Sequence, residues 1–329
     1  MRDSVQRRHV LQGFLAGAIA GATRPARAAA VPGLEVLGAP NASTIVLVRM
    51  IESGALQPSA PGATFRLWRD PDELRAGVAS GRTRLFSTPN HVPALFANRG
   101  VPVRLLAVIS MGHLYIVAQD PAITSLAALR GQRVTAFFRN DMPDLVFRAL
   151  LRREGLEPGR DVGIDYVATP MEAAQLAIAG RAPIALLSEP PATMAIAMAG
   201  HAGRTLHRAV NLQAEWGRHF GQPRIPMAGI ALHQSLIDES PELLAALRQG
   251  LPEAAAWAQA NPAEAGALAE RRMDIRAPLF ARALPHFSIG VYGARTLKAE
   301  LMDFYRVLLE LHPEAIGGRL PDDDFFLDL

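Results

Sequence analysis

The sequence predicts an α/β protein made of two βα-repeat lobes joined by a two-strand hinge. The first observation is residues 129–151, where an apolar run of strand length (134–138) meets the polar turn Arg139-Asn140-Asp141-Met142. Pro143 follows, and then Leu145, Phe147, Leu150 and Leu151 at helical spacing, so the stretch reads strand, turn, helix. The second observation is a duplication: Pro71, Glu73 and Gly81-Arg82 recur 99 residues later as Pro170, Glu172 and Gly180-Arg181, and Asn41 recurs as Asn140. Ser188-Glu189-Pro190 follows Ser87-Thr88-Pro89 at an offset of 101. Asp70-Pro71-Asp72-Glu73 and Thr169-Pro170-Met171-Glu172 each combine an N-cap, a proline at N1 and a glutamate at N3, the pattern of a helix start.

In chain order, residues 34–37 form a strand, 39–43 a turn, and 44–53 an apolar helix that stops at Gly54. A strand at 64–68, a helix from Asp70 to near Gly81 and a strand at 84–86 follow, and the turn Ser87-Thr88-Pro89-Asn90 leads into a helix that ends at Gly100. Residues 103–109 are a fully apolar strand. Residues 112–117 carry the chain into the second unit, and 227–232 carry it back. Ser240-Pro241-Glu242 and Asn261-Pro262-Ala263-Glu264 start two more helices. Residues 279–311 read as mainly helical, packed on the first lobe, and Asp322-Asp323-Asp324 as a solvated surface feature. The expected division is a signal segment at 1–28, lobe one at 29–111 plus 231–329, and lobe two at 112–230.

Residues 1–28 do not read as fold. Arg7-Arg8 precede the apolar run 10–22, and Ala26-Arg27-Ala28 supplies the small residues of a cleavage site near Ala28, the layout of a secretory signal peptide. Gln6-Arg7-Arg8-His9-Val10-Leu11-Gln12 resembles a twin-arginine signal but has Gln6 where Ser or Thr is usual and Val10 where Phe is usual, which leaves the general secretory route open. The net charge of the chain is +3. Residues 1–30 hold five Arg and one Asp (+4), so 31–329 carry −1, which argues against nucleic acid or an anionic membrane as partner. With no cysteine among 329 residues, a disulfide, a thiolate metal site and a thiol nucleophile are excluded.

Strand-to-helix turns at the C-terminal edge of an open sheet are where small ligands bind. Each lobe has two: 39–43 and 87–90 in lobe one, 138–144 and 188–191 in lobe two. Facing lobes would bring all four onto one cleft, with Ser110-Met111-Gly112-His113 at its floor. Candidate contacts are Asn41, Ser43, Ser87, Thr88, Asn90, His113, Arg139, Asn140, Asp141 and Glu189. Capping alone would explain Ser43, Ser87, Thr88 and Ser188, and turn formation Asn41 and Asn140. Asp141 suits a cap and Asp144 a first-turn charge. Arg139, the one cation in the four turns, would clamp an oxyanion or point to solvent. His91 and His113 would donate to a ligand or serve the structure.

An enzyme needs a constellation that is not found: there is no Gly-x-Ser-x-Gly elbow, no His-Glu-x-x-His, no paired metal spacing among the nine histidines and no Walker loop. The sole lysine is Lys298, in a late amphipathic stretch.

The order of these motifs resembles a known family. Residues 129–151, then Gly159-Arg160-Asp161-Val162, then Met171-Glu172-Ala173-Ala174-Gln175 to Gly180, then Leu187-Ser188-Glu189-Pro190-Pro191, look like the second lobe of ABC-transporter substrate-binding proteins of the nitrate/sulfonate/taurine (NMT1/THI5-like) type. The similarity runs from about Gly33 to about Pro262. It implies a type II periplasmic binding fold, location in the periplasm, monomeric state and capture of a small, anionic or zwitterionic solute for an ABC permease of the inner membrane. No cofactor, metal or catalysis is expected, because no catalytic or metal-binding constellation is found. Two alternatives stay open: a solute receptor for a signalling partner, and a periplasmic enzyme on the same scaffold. Pyrimidine-precursor synthases resemble this superfamily and need a Schiff-base lysine, for which only Lys298 is available.

Overall fold

The structure is a computed structural model that describes residues 30–222 and 224–329. The signal-peptide reading of residues 1–28 lies outside the described residues. The first half-chain contains β1 (Glu35–Gly38), α1 (Ile45–Glu52), β2 (Thr64–Leu67), α2 (Pro71–Ala79), β3 (Leu85–Pro89), α3 (His91–Asn98) and β4 (Val103–Met111). Next come β5 (Leu114–Ala118), β6 (Arg133–Phe137), α4 (Met142–Arg153), β7 (Gly163–Val167), α5 (Pro170–Ile178), β8 (Ile184–Ser188), α6 (Pro191–His201), β9 (His207–Asn211) and α7 (Leu212–Phe220). The chain ends with β10 (Pro226–His233), α8 (Gln234–Glu239), α9 (Pro241–Ala260), α10 (Pro262–Met273), α11 (Ala277–Ala283), β11 (Ile289–Gly293) and α12 (Lys298–Leu311).

Two sheets organise these elements, with strand orders β11-β4-β10-β3-β1-β2 and β7-β6-β8-β5-β9; lobe one and lobe two denote the units built on them. In lobe one β2, β1 and β3 are parallel and β10 is antiparallel to β3. In lobe two β7, β6 and β8 are parallel and β5 is antiparallel to β8. The antiparallel neighbour thus arrives in each lobe from the other half of the chain: β5 follows β4, and β10 follows α7.

The offset of 99 holds through the α2–β3 and α5–β8 units. α2 and α5, and likewise β3 and β8, begin and end 99 residues apart. The offset of 101 read from Ser-x-Pro is therefore corrected, and Asn90 corresponds to Glu189. The backbone agrees: Asn90 N–H donates to Met227 O at 3.0 Å, and Glu189 N–H donates to His113 O at 3.0 Å. Both capping patterns are formed. Asp70 accepts from Glu73 N–H (2.8 Å) while Glu73 accepts from Arg69 N–H (2.7 Å). Thr169 accepts from Glu172 N–H (3.1 Å) while Glu172 accepts from Ala168 N–H (3.0 Å). These bonds satisfy donors that a first helical turn otherwise leaves open.

The crossing segments meet at Gly112, whose φ is +78° and where a Cβ would lie 1.9 Å from Gln213 Oε1. The same Gln213 oxygen accepts from Ile225 N–H at 2.9 Å, so a side chain at 112 would push apart the two segments that link the lobes.

The largest apolar cluster joins both lobes, from Ala94, Leu105 and Val108 of lobe one through Leu145, Phe147 and Trp216 of lobe two. α12 fastens it. Phe304 is fully buried with its ring centroid 5.5 Å from that of Trp216, and Tyr305 donates to Asn90 O at 3.0 Å. Residues 279–311 are mainly helical as expected, with β11 between α11 and α12, but the expectation that they pack on lobe one is corrected: α12 packs on both lobes. The acidic end is paired rather than merely solvated, Asp322 with Arg319, Asp323 with Arg295 and Lys298, and Asp324 with Arg104.

Phe304→Ala should lower unfolding stability by about 3–5 kcal/mol, the scale of a buried aromatic truncation. Urea denaturation monitored by circular dichroism measures this; a loss of under about 1 kcal/mol would show that α12 is not integral to the core.

Candidate ligand-binding site

The first turn of lobe one is held by its own hydroxyls. Ser87 Oγ accepts from Ala39 N–H at 2.8 Å and lies 3.1 Å from Thr44 Oγ1, which donates to Ala39 O at 2.7 Å. Trp68 Nε1–H donates to Ser87 O at 3.1 Å. Asn41 is an N-cap: Oδ1 accepts from Ser43 N–H (3.1 Å) and Ser43 Oγ–H (2.6 Å). Ser43 and Ser87, both buried, thus have partners inside lobe one.

The β3–α3 turn differs. Thr88 and Asn90 are fully buried and His91 nearly so, yet Thr88 Oγ1, both polar atoms of the Asn90 amide and His91 Nδ1 have no partner among the described residues. Sealing such a group from water without a hydrogen bond costs about 1–3 kcal/mol. α3 also starts without a side-chain cap.

In lobe two, Phe138 and Asn140 take positive φ (51° and 61°), so the β6–α4 turn is tight. Asn140 is exposed; its N–H donates to Asp144 Oδ2 (2.8 Å) and its Oδ1 accepts from Arg148 (3.1 Å). Arg139 is exposed, with its guanidinium carbon 5.4 Å from the ring centroid of Tyr166, a lobe-two residue. Asp144 is fully buried and accepts from Tyr166 Oη–H at 2.7 Å. Burial and this bond push the Tyr166 phenol pKa upward. At β8–α6, Glu189 Oε2 accepts from Thr193 N–H at 3.0 Å, and Oε1 accepts from Arg208 Nε–H at 2.9 Å and from Arg208 Nη2 at 2.5 Å. Arg208 also donates to Thr193 Oγ1 at 2.6 Å. Glu189 is buried, so both its oxygens serve lobe two.

Asp141 joins the lobes. Its Oδ1 accepts from Met142 N–H at 2.7 Å as the cap of α4 and lies 3.3 Å from His91 Nε2; its Oδ2 lies 3.5 Å from Arg75 Nη2. His91 and Arg75 belong to lobe one. A second contact crosses on another side, where Tyr115 of β5 donates to His286 O at 2.8 Å and α11 meets α6. Arg208 stands beside it, its guanidinium carbon 5.4 Å from the Tyr115 ring centroid.

The β6–α4 turn thus meets lobe one through Asp141, and several residues around these contacts were not singled out by the sequence. Arg75, Tyr115, Thr193 and Arg208 sit in ordinary helix and strand positions, and no local pattern marks them. For a metal, Glu154 just after α4 and Glu215 and His219 on α7 lie close together, but Arg218 Nη2 stands between the carboxylates, 2.6 Å from Glu154.

These features define a class, a two-lobed binding-protein fold of the periplasmic type. Residues 113–272 match the model of the NMT1-like family. Similar solved structures include an ABC transporter protein from Parabacteroides distasonis, with 21% identity, TM-score 0.72, and coverage of 90% of this chain and 98% of that one. The periplasmic aliphatic sulphonate binding protein SsuA of Escherichia coli has 16% identity, TM-score 0.68, and coverage of 88% and 91%. The periplasmic nitrate-binding protein NrtA of Synechocystis has 14% identity, TM-score 0.64, and coverage of 90% and 87%. No curated protein matches the chain.

Burial pushes the His113 pKa down from 6.5 to about 4. The folded chain keeps this imidazole neutral while the unfolded chain protonates it, so stability is full above pH 6.5 and falls as pH drops towards 4. His91, also lowered by burial, acts in the same direction. His113→Gln should flatten the fall; urea midpoints taken across that window check it, and identical pH dependence in both proteins would contradict it.

Proposed function

We propose that the protein is a periplasmic solute-binding protein that captures a small anionic or zwitterionic solute between its lobes and delivers it, as a monomer, to an ABC importer of the inner membrane. One observation carries the reading: two strand-edge sites on separate sheets, joined by crossing strands and touching through Asp141 with Arg75 and His91. Such a contact exists only while the lobes are together, so its making and breaking is a hinge closure. The family match and the likeness to sulphonate- and nitrate-binding proteins support the same reading. Export through the Arg7-Arg8 signal belongs to it.

An anionic group suits the boundary. The helices α3, α4 and α6 start there, and a helix N-terminus attracts an anion by about 0.3–1 kcal/mol. Arg139 and Arg208 add cations, and Asn41, Ser43, Ser87, Thr88, Asn90, His113 and Asn140 supply neutral polar groups to the surrounding turns. On this reading Asp141 serves closure and Glu189 holds Arg208 in place. The enzyme alternative is disfavoured by the position of Lys298, which starts α12 and pairs with Asp323, away from the four turns.

A thermal-shift screen against small organic acids, amino acids and inorganic anions should find a compound that raises the melting temperature without being consumed. Small-angle scattering with that compound should show a smaller radius of gyration. Turnover of the compound would favour an enzyme, and an unchanged radius would count against closure.

A further inference from the structure

We propose that the β3–α3 turn is an uncharged recognition subsite, completed by a ligand group that sets an N–H donor beside a carbonyl-type acceptor, as a carboxamide does. This rests on the solute-binding reading and concerns the end of the solute away from its charge.

The duplication points to this turn. In lobe two the position after the third strand is Glu189, and it is fully satisfied: one oxygen takes Thr193 N–H and the other takes Arg208. Thr193 corresponds to Ala94, 99 residues earlier, and Glu189 to Asn90. Asn90 sits on the same scaffold, tied by its N–H to Met227 O and by its carbonyl to Tyr305. Its amide nonetheless has no partner among the described residues, although Asn90 is fully buried. The amide rests on bare backbone: a Cβ on Gly229 would stand 2.1 Å from Asn90 Oδ1. Gly229 is also the ladder partner of Thr88, whose hydroxyl is likewise unpartnered. The groups therefore cluster around one glycine beneath the uncapped start of α3, at the sheet edge where the chain returns from lobe two.

Their chemistry selects the ligand group. Asn90 offers two N–H donors and one acceptor in a plane, and Thr88 offers a hydroxyl that serves as either. With Nε2 3.3 Å from Asp141 Oδ1, the His91 imidazole keeps its proton on that side and presents Nδ1 as an acceptor. A nitrate, sulfonate or carboxylate brings acceptors alone and leaves Asn90 Oδ1 and His91 Nδ1 unpaired, with the Asp141 carboxylate close by. A planar amide answers donor with acceptor and acceptor with donor. Arg75 and His312, the other charged or titratable groups that act on His91, lower its pKa and so favour its neutral form.

The test is titration calorimetry on the mature full-length protein with a matched series of short-chain acids. For each chain length the far end is a carboxamide, a methyl group or a second carboxylate, and a parallel set carries a sulfonate as the near group. The carboxamide member should bind at least about tenfold more tightly than its methyl counterpart, one hydrogen-bonded group's worth of discrimination. Asn90→Leu and the near-isosteric Thr88→Val should each shrink that margin; Thr88→Val keeps the test sound if Asn90→Leu does not fold. A methyl or dicarboxylate member that binds as tightly, or a margin unchanged in folded variants, overturns the subsite while leaving the solute-binding reading intact. Failure of every member to bind overturns both.

Discussion

One carboxylate brings charged side chains of the two lobes together. Asp141 caps α4 in lobe two and is approached from lobe one by His91 and Arg75. The individual attractions are weak. The Arg75 side chain is 38% exposed, and ion pairs of such exposure contribute about 0.2–1 kcal/mol. Weak contacts suit the proposed solute-binding role. A bound solute shifts a conformational equilibrium only by its differential affinity for the two states, so the lobes must not be locked together by protein contacts alone. The apolar cluster that includes α12 draws residues from both lobes and packs beside this contact, with Tyr305 meeting Asn90 next to His91.

The two lobes also show how a duplicated scaffold diverges by satisfying its polar groups differently. The capping boxes of α2 and α5 are equivalent in position and bonding, with Asp70 in one and Thr169 in the other accepting from the N–H of a glutamate. The following turns are not. Glu189 is neutralised by Arg208, while Asn90, at the same place, is left with its amide unpaired. Asn41 and Asn140 share an offset but differ in bonding. Asn41 accepts as an N-cap, whereas Asn140 takes positive φ and bonds within its own helix start. Equal spacing thus conserved the elements and left the chemistry of the turns free.

This explains what could be read in the chain. Helix starts and strand runs were legible because caps, N1 prolines and apolar periodicity act over a few residues. The Ser-x-Pro alignment misled because proline punctuates two different things: Pro89 ends β3, while Pro190 stands at the N-cap position of α6. The placement of α12 was not legible, since Phe304, Tyr305 and Leu308 form an apolar stripe that fits any apolar face. Nor was the Arg75–Asp141 contact, whose partners are 66 residues apart and carry no local pattern. Arg139 stood out as the one cation of the turns, whereas Arg208, in a strand, could be found only once β9 was seen beside β5.

Closure through Asp141 is tested most directly by the distance between the lobes. With no native cysteine, Ala79→Cys on α2 and Gln175→Cys on α5 allow clean double spin-labelling at exposed positions of the two lobes. Pulsed electron paramagnetic resonance should show a short interlobe distance that gains population when a stabilising solute is added and loses it in Asp141→Asn. Distance distributions that are the same with and without solute, and the same in Asp141→Asn, would contradict the claim that these lobes close on a ligand through Asp141.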